Sequence, residues 1–105
     1  MKERHHHSLV QLLRSSEKFY IQMSGEIEQD SLVVVEVIKS RITRQIWIVS
    51  SGMYWASPDA EKDSEWFFTD QPEVDEHDLL SMAELDAVQI SESEFEDLWA
   101  KALIV

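Results

Sequence analysis

Between Asp59 and Asp78 the chain carries nine carboxylates and a single cation, Lys62, around the aromatic run Trp66-Phe67-Phe68. Carboxylates at this density offer three kinds of chemistry: ligation of a hard cation, general acid–base work, or recognition of a basic surface. For calcium, Asp59, Glu61, Asp63, Glu65 and Asp70 fall at positions 1, 3, 5, 7 and 12 of an EF-hand count. That loop needs Gly at its sixth position for the turn and a Glu at its twelfth for two-point ligation, and this chain has Ser64 and Asp70 there. The sequence therefore assigns no metal site.

The histidines do not supply one either. His5, His6 and His7 are consecutive, and neighbours on a regular element point apart. His77 stands among acids without HExxH spacing. Nor is there a nucleophile, base and orienting group at a recognised spacing, and two glycines leave no phosphate-cradling loop. We expect no enzymatic activity and no cofactor.

Recognition is the chemistry left. Residues 1–58 hold seven Lys/Arg against six Asp/Glu, and residues 59–105 hold two against fifteen. Such a lopsided negative field repels nucleic-acid phosphates and anionic membranes and steers toward basic proteins. Interface anchors are enriched in Trp, and Trp55 and Trp66 flank the first acidic segment. The expected partner-binding set is Trp55, Asp59, Glu61, Asp63, Glu65, Trp66, Asp70, Glu73, Asp75, Glu76 and Asp78. The expected function is an immunity protein or inhibitor that neutralises a basic partner such as a bacterial nuclease toxin. The alternatives are a DNA-mimic inhibitor of a DNA-binding protein and a structural or adaptor subunit. Neither direct nucleic-acid binding nor a membrane role is expected.

The elements that must position these residues follow from hydrophobic periodicity. At 105 residues, with four Trp, four Phe and two Tyr, the chain supports one core. Cysteine is absent, which excludes disulfides and thiolate sites and fits a reducing compartment. The apolar residues Leu9–Leu13 are too few for a signal peptide or a membrane span, so the expected location is cytoplasmic.

Residues 1–7 read as an exposed arm, and residues 8–105 as a single domain. Leu9, Leu12 and Leu13 give a helix one apolar face, and the spacing predicts its end near Ser15-Ser16. Phe19–Met23 is rich in strand formers, and Leu32–Ile38 is a β-branched run interrupted only by Glu36. Lys39–Arg44 is expected as a hairpin connection returning through Gln45–Val49, and Met53–Ala56 as a further strand. Trp66–Phe68 is expected as a short strand, Leu79-Leu80 as a brief pairing, and Ser81–Glu84 as the start of a helical turn. Ser91 and Glu94 form a capping box inside an Ile90/Phe95 staple. Phe95, Leu98, Trp99, Ala102 and Leu103 then recur at helical spacing. The predicted class is α+β: a small antiparallel sheet of about four to five strands, with an N-terminal and a C-terminal helix packed on it.

Overall fold

The structure, a computed structural model, describes residues 2–26 and 28–104, with side chains from Leu9 onward. Helix α1 (Lys2–Ser15) leads into strands β1 (Lys18–Ser24), β2 (Leu32–Ile38), β3 (Arg41–Val49) and β4 (Gly52–Ala56). Helix α2 (Glu76–Ala83), strand β5 (Val88–Ile90) and helix α3 (Glu92–Ile104) complete the chain. All strand pairs are antiparallel, in the order β4-β3-β2-β1-β5. The predicted α+β class is the observed one. The backbone of residues 2–7, expected as an arm, continues α1.

The sheet is covered on both faces, as the near-continuous apolar run of β2 requires. On one face, Phe19, Ile21, Met23, Val35, Val37 and Ile42 pack against Leu9 and Leu12 of α1 and Leu79 and Ala83 of α2. On the other, Tyr20, Val34 and Ile46 pack under Phe95 and Ala102 of α3, with Met53, Trp55, Leu98 and Trp99 at the margin. Strand alternation sorts these sets: odd positions of β1 and β2 face α1 and α2, and even positions face α3. No helix among the described residues is long and apolar enough to cross a membrane.

The break after Ser15 stands where the sequence placed it. Several other local expectations need correction. The β2–β3 connection is only Lys39-Ser40, not Lys39–Arg44. Both residues adopt left-handed backbone (φ 52° and 62°), as a two-residue hairpin with the right twist demands. A bulge between Glu36 and Val37 then places Arg44 opposite Glu36 and Ile42 opposite Val37, with Thr43 as the extra residue.

Trp66–Phe68 forms no strand: it lies in a loop from which Trp66 and Phe68 pack inward and Phe67 stays exposed. Leu79-Leu80 lies in α2 instead of pairing, and Ser81–Glu84 ends that helix instead of starting one. The capping box belongs to Asp75 and Asp78: the Asp78 amide donates to Asp75 Oδ1 and the Asp75 amide to Asp78 Oδ2, each at 2.9 Å. Strand β5, at three residues, is too short to carry a periodicity that the sequence could reveal. The Ser91 cap is as expected, with reciprocal Ser91–Glu94 bonds of 3.0 Å.

Candidate functional site

The segment 57–75 leaves β4, runs along its outer edge and crosses to the start of α2. Its path is fixed by backbone bonds. Lys62 N–H donates to Trp55 O at 3.0 Å, Ile42 N–H to Pro72 O at 2.8 Å, and Val74 N–H to Ser40 O at 2.9 Å. In the middle, Trp66 stacks on Tyr54 (centroids 5.0 Å apart) and tilts against Trp47 at 5.7 Å. Phe68 joins the core beneath α1 and α2, and the Thr69 amide donates to Gln45 Oε1 at 2.7 Å.

Between these two inward anchors Phe67 points out, 61% exposed. An apolar ring held in water by inward-packed neighbours on both sides is preorganised for contact. The sequence pointed to Trp55 and Trp66 as the anchors, and the structure places them on opposite faces of the sheet. Trp55 packs edge-on against Trp99 beneath α3 (5.6 Å). Trp66 is the clamp that holds the loop on the other face. The two rings do not share a surface. Phe67, the exposed ring, was passed over in sequence because three consecutive aromatics give no sign of which one faces out.

The carboxylates divide into two groups. Asp75 and Asp78 cap α2, and the Asp78 amide holds the Asp75 carboxyl below its usual range. Glu76 pairs with Arg14, and Glu73 with Arg41 at 3.5 Å. Asp63 accepts from the Glu65 amide at 2.9 Å, a local turn bond. Asp59, Glu61, Glu65 and Asp70 are exposed and make no ion pair among the described residues. These four surround Phe67 in sequence. Glu73, Asp75, Glu76 and Asp78 have structural duties as well as charge. Among the described residues, no three His, Asp or Glu side chains converge as metal ligands.

An open groove of about 440 Å³ lies between the β2–β3 hairpin tip and the segment 73–75, lined by Lys39, Ser40, Arg41, Glu73, Val74 and Asp75. Its cations and carboxylates oppose one another, and Arg41 already holds Glu73. It presents no net charge to a ligand.

The densest polar cluster is elsewhere, under α3. Glu36, 4% exposed, receives Arg44, Tyr20 Oη at 3.0 Å and Thr43 Oγ1 at 2.7 Å. Arg44 also reaches Glu96 and lies over the Phe95 and Trp99 rings, 4.8 and 5.0 Å from their centroids. Burial alone pushes the Glu36 carboxyl up, but hydrogen bonds from Arg44, Thr43 and Tyr20 outweigh it and hold the group below its usual range. Every acceptor position of this carboxylate is occupied from within the fold, so the cluster is a fastening and not a reaction centre. In sequence Glu36 stood out only as the exception in an apolar run.

No family model matches the chain, and no curated protein or solved structure matches it either.

Proposed function

We propose that the protein is a non-catalytic binding protein that neutralises a basic partner, in the manner of an immunity protein set against a nuclease toxin. The observation that carries this reading is the loop carrying Phe67. It is clamped by Trp66 and Phe68, its apolar ring is exposed, and Asp59, Glu61, Glu65 and Asp70 on the same segment are exposed and make no ion pair among the described residues. The carboxylates accelerate encounter with a positive surface, and a rigid aromatic contact slows dissociation. A nuclease site is positive because it holds phosphates, which makes it a fitting target.

A DNA mimic would spread its carboxylates along an extended surface. Here the extents are 35 × 28 × 26 Å, and Asp59, Glu61, Glu65 and Asp70, exposed and without ion pairs among the described residues, belong to one segment. That geometry favours docking at a localised basic site.

The test is affinity capture from the native host with the wild-type chain and with Phe67→Ala, followed by mass spectrometry. Enrichment of a basic protein by the wild type that is strongly reduced for the folded variant supports the reading. Equal capture by both contradicts it.

A further inference from the structure

The two edges of the sheet are treated differently by the chain itself. The β4 edge is covered. Glu61 bridges back to Ala56, the Lys62 amide donates to Trp55 O, and Lys62 Nζ donates to Met53 O at 2.9 Å. Where β3 extends past β4, Pro72 and Val74 take up the bonds of Ile42 and Ser40. The opposite edge is β5. It pairs with β1 on its inner side, and no segment among the described residues pairs with its outer side.

Register shows which backbone groups that leaves. The Lys39 amide donates to Glu17 O, so odd residues of the β1 segment direct their N–H and C=O groups toward β2. Even residues, Tyr20 and Gln22, therefore turn theirs toward β5, where they meet Ile90 and Val88. Gln89, opposite Ile21, presents its N–H and C=O outward. Val88, 38% exposed, lies beside it. Such an edge is a template for an added strand.

Charge selects the occupant. Glu84 and Asp86 precede β5, Glu92 and Glu94 follow it, and all four are exposed. Lys18 partly offsets Glu92 at 2.9 Å, and Glu94 is engaged at the α3 cap. Glu84 and Asp86 have no ion pair among the described residues. A second copy pairing antiparallel about Gln89 would bring Asp86 of one copy toward Glu92 of the other, at the two ends of the three-residue strand, like charge beside like; Glu84 at the end of α2 and Glu94 within α3 lie off the strand line. A foreign strand with cations three residues to either side of its central residue would bring them toward Asp86 and Glu92 at the two ends of β5.

We propose that β5 takes up an extended segment of a partner protein as an added antiparallel strand, centred on Gln89 and bearing Lys or Arg near both ends. This site is at the opposite edge of the sheet from the segment carrying Phe67, and it stands whether or not that loop binds.

The probe is a synthetic Lys-Val-Thr-Val-Thr-Val-Lys peptide titrated into the ¹⁵N-labelled full chain. The expected result is saturable shifts centred on the Gln89 amide. Affinity should be weaker by about fivefold or more when the central valine is N-methylated, since one strand hydrogen bond is lost. It should also fall when both lysines are replaced by glutamate. Gln89→Pro removes the outward N–H without touching the β1 ladder, and it should abolish the shifts in the neighbouring amides. Equal affinity for the N-methylated or the glutamate-ended peptide would overturn the proposal. So would shifts confined to residues 59–70, or no shifts at all. The N-methylated peptide leaves the protein unaltered, so the proposal does not depend on the proline variant folding.

Discussion

Arg44 grips Glu36 through two hydrogen bonds, Nε to Oε1 at 2.8 Å and Nη2 to Oε2 at 2.6 Å, directly beneath α3. The same guanidinium reaches Glu96 on that helix and lies over Phe95 and Trp99. One side chain thus ties the middle of the sheet to α3 by charge and by ring contact. Removing it leaves the Glu36 carboxylate buried with only its two hydroxyl donors, Tyr20 and Thr43. Arg44→Ala should cost about 3 kcal/mol or more, the scale for breaking a buried pair. Urea unfolding of the two chains measures the difference.

The same cluster sets a pH dependence. The folded pKa of Glu36 is lowered, with the hydrogen bonds from Arg44, Thr43 and Tyr20 outweighing burial, and that of Glu96 is lowered by Arg44. A carboxyl with a depressed folded pKa contributes stability above its unfolded value, near 4.5. That contribution is lost as pH falls through the folded pKa. Below that unfolded value the wild type should therefore lose its advantage over Glu36→Gln as acid is added. Relief of repulsion among the unpaired acids has the opposite sign, but it is common to both chains and cancels in the difference. Urea titrations of both proteins across this range check it. A stability difference that stays constant would contradict the assignment.

The Lys39-Ser40 turn holds two ordinary residues in left-handed backbone, where Asn-Gly is the favoured pair. Replacing Lys39-Ser40 by Asn-Gly should raise stability by up to about 1 kcal/mol. Pairing between Lys39 and Glu17 spans 3.8 Å between exposed groups, so its loss should cost little. The shift in urea midpoint at unchanged slope reads this out.

The loop predicts opposite behaviour for adjacent aromatics. Trp66→Ala should destabilise by about 3 kcal/mol, because the ring fills the space between Tyr54 and Trp47. Phe67→Ala should change stability by less than about 0.5 kcal/mol, because its ring is mostly in water. Thermal denaturation of the two variants distinguishes clamp from anchor. Large destabilisation by Phe67→Ala would remove the ring from the surface account.

Legibility in the sequence followed the strength of local signals. The Leu32–Ile38 run, the Ser91 cap and the Phe95–Leu103 periodicity each specify one structure by themselves, and each stands in the fold as read. The chemistry at Asp75 and Asp78 is equally local, but the acids around it mask the capping box and give the stretch the look of loop charge. Trp66, Phe67 and Phe68 were illegible for a different reason. Which ring turns inward depends on Tyr54, Trp47 and the core under α1, all distant in sequence. Glu36 and Arg44 meet only through the bulge that Thr43 introduces, and composition does not reveal that register. The acidic candidates were legible as a group but not in their division of labour. Capping and ion pairing occupy Asp75, Asp78, Glu73 and Glu76, and a local turn bond engages Asp63, which leaves Asp59, Glu61, Glu65 and Asp70 as the acids to reverse.

The most direct measurement is the binding of the partner captured from the host to the wild type and to the Asp59→Lys/Glu61→Lys/Glu65→Lys/Asp70→Lys variant. Both should be measured over a range of salt concentrations, with circular dichroism to show that the variant is folded. The account predicts association slowed by about tenfold or more at low salt, with the wild type's steep salt dependence flattened. Unchanged affinity and unchanged salt dependence in a folded variant would contradict it.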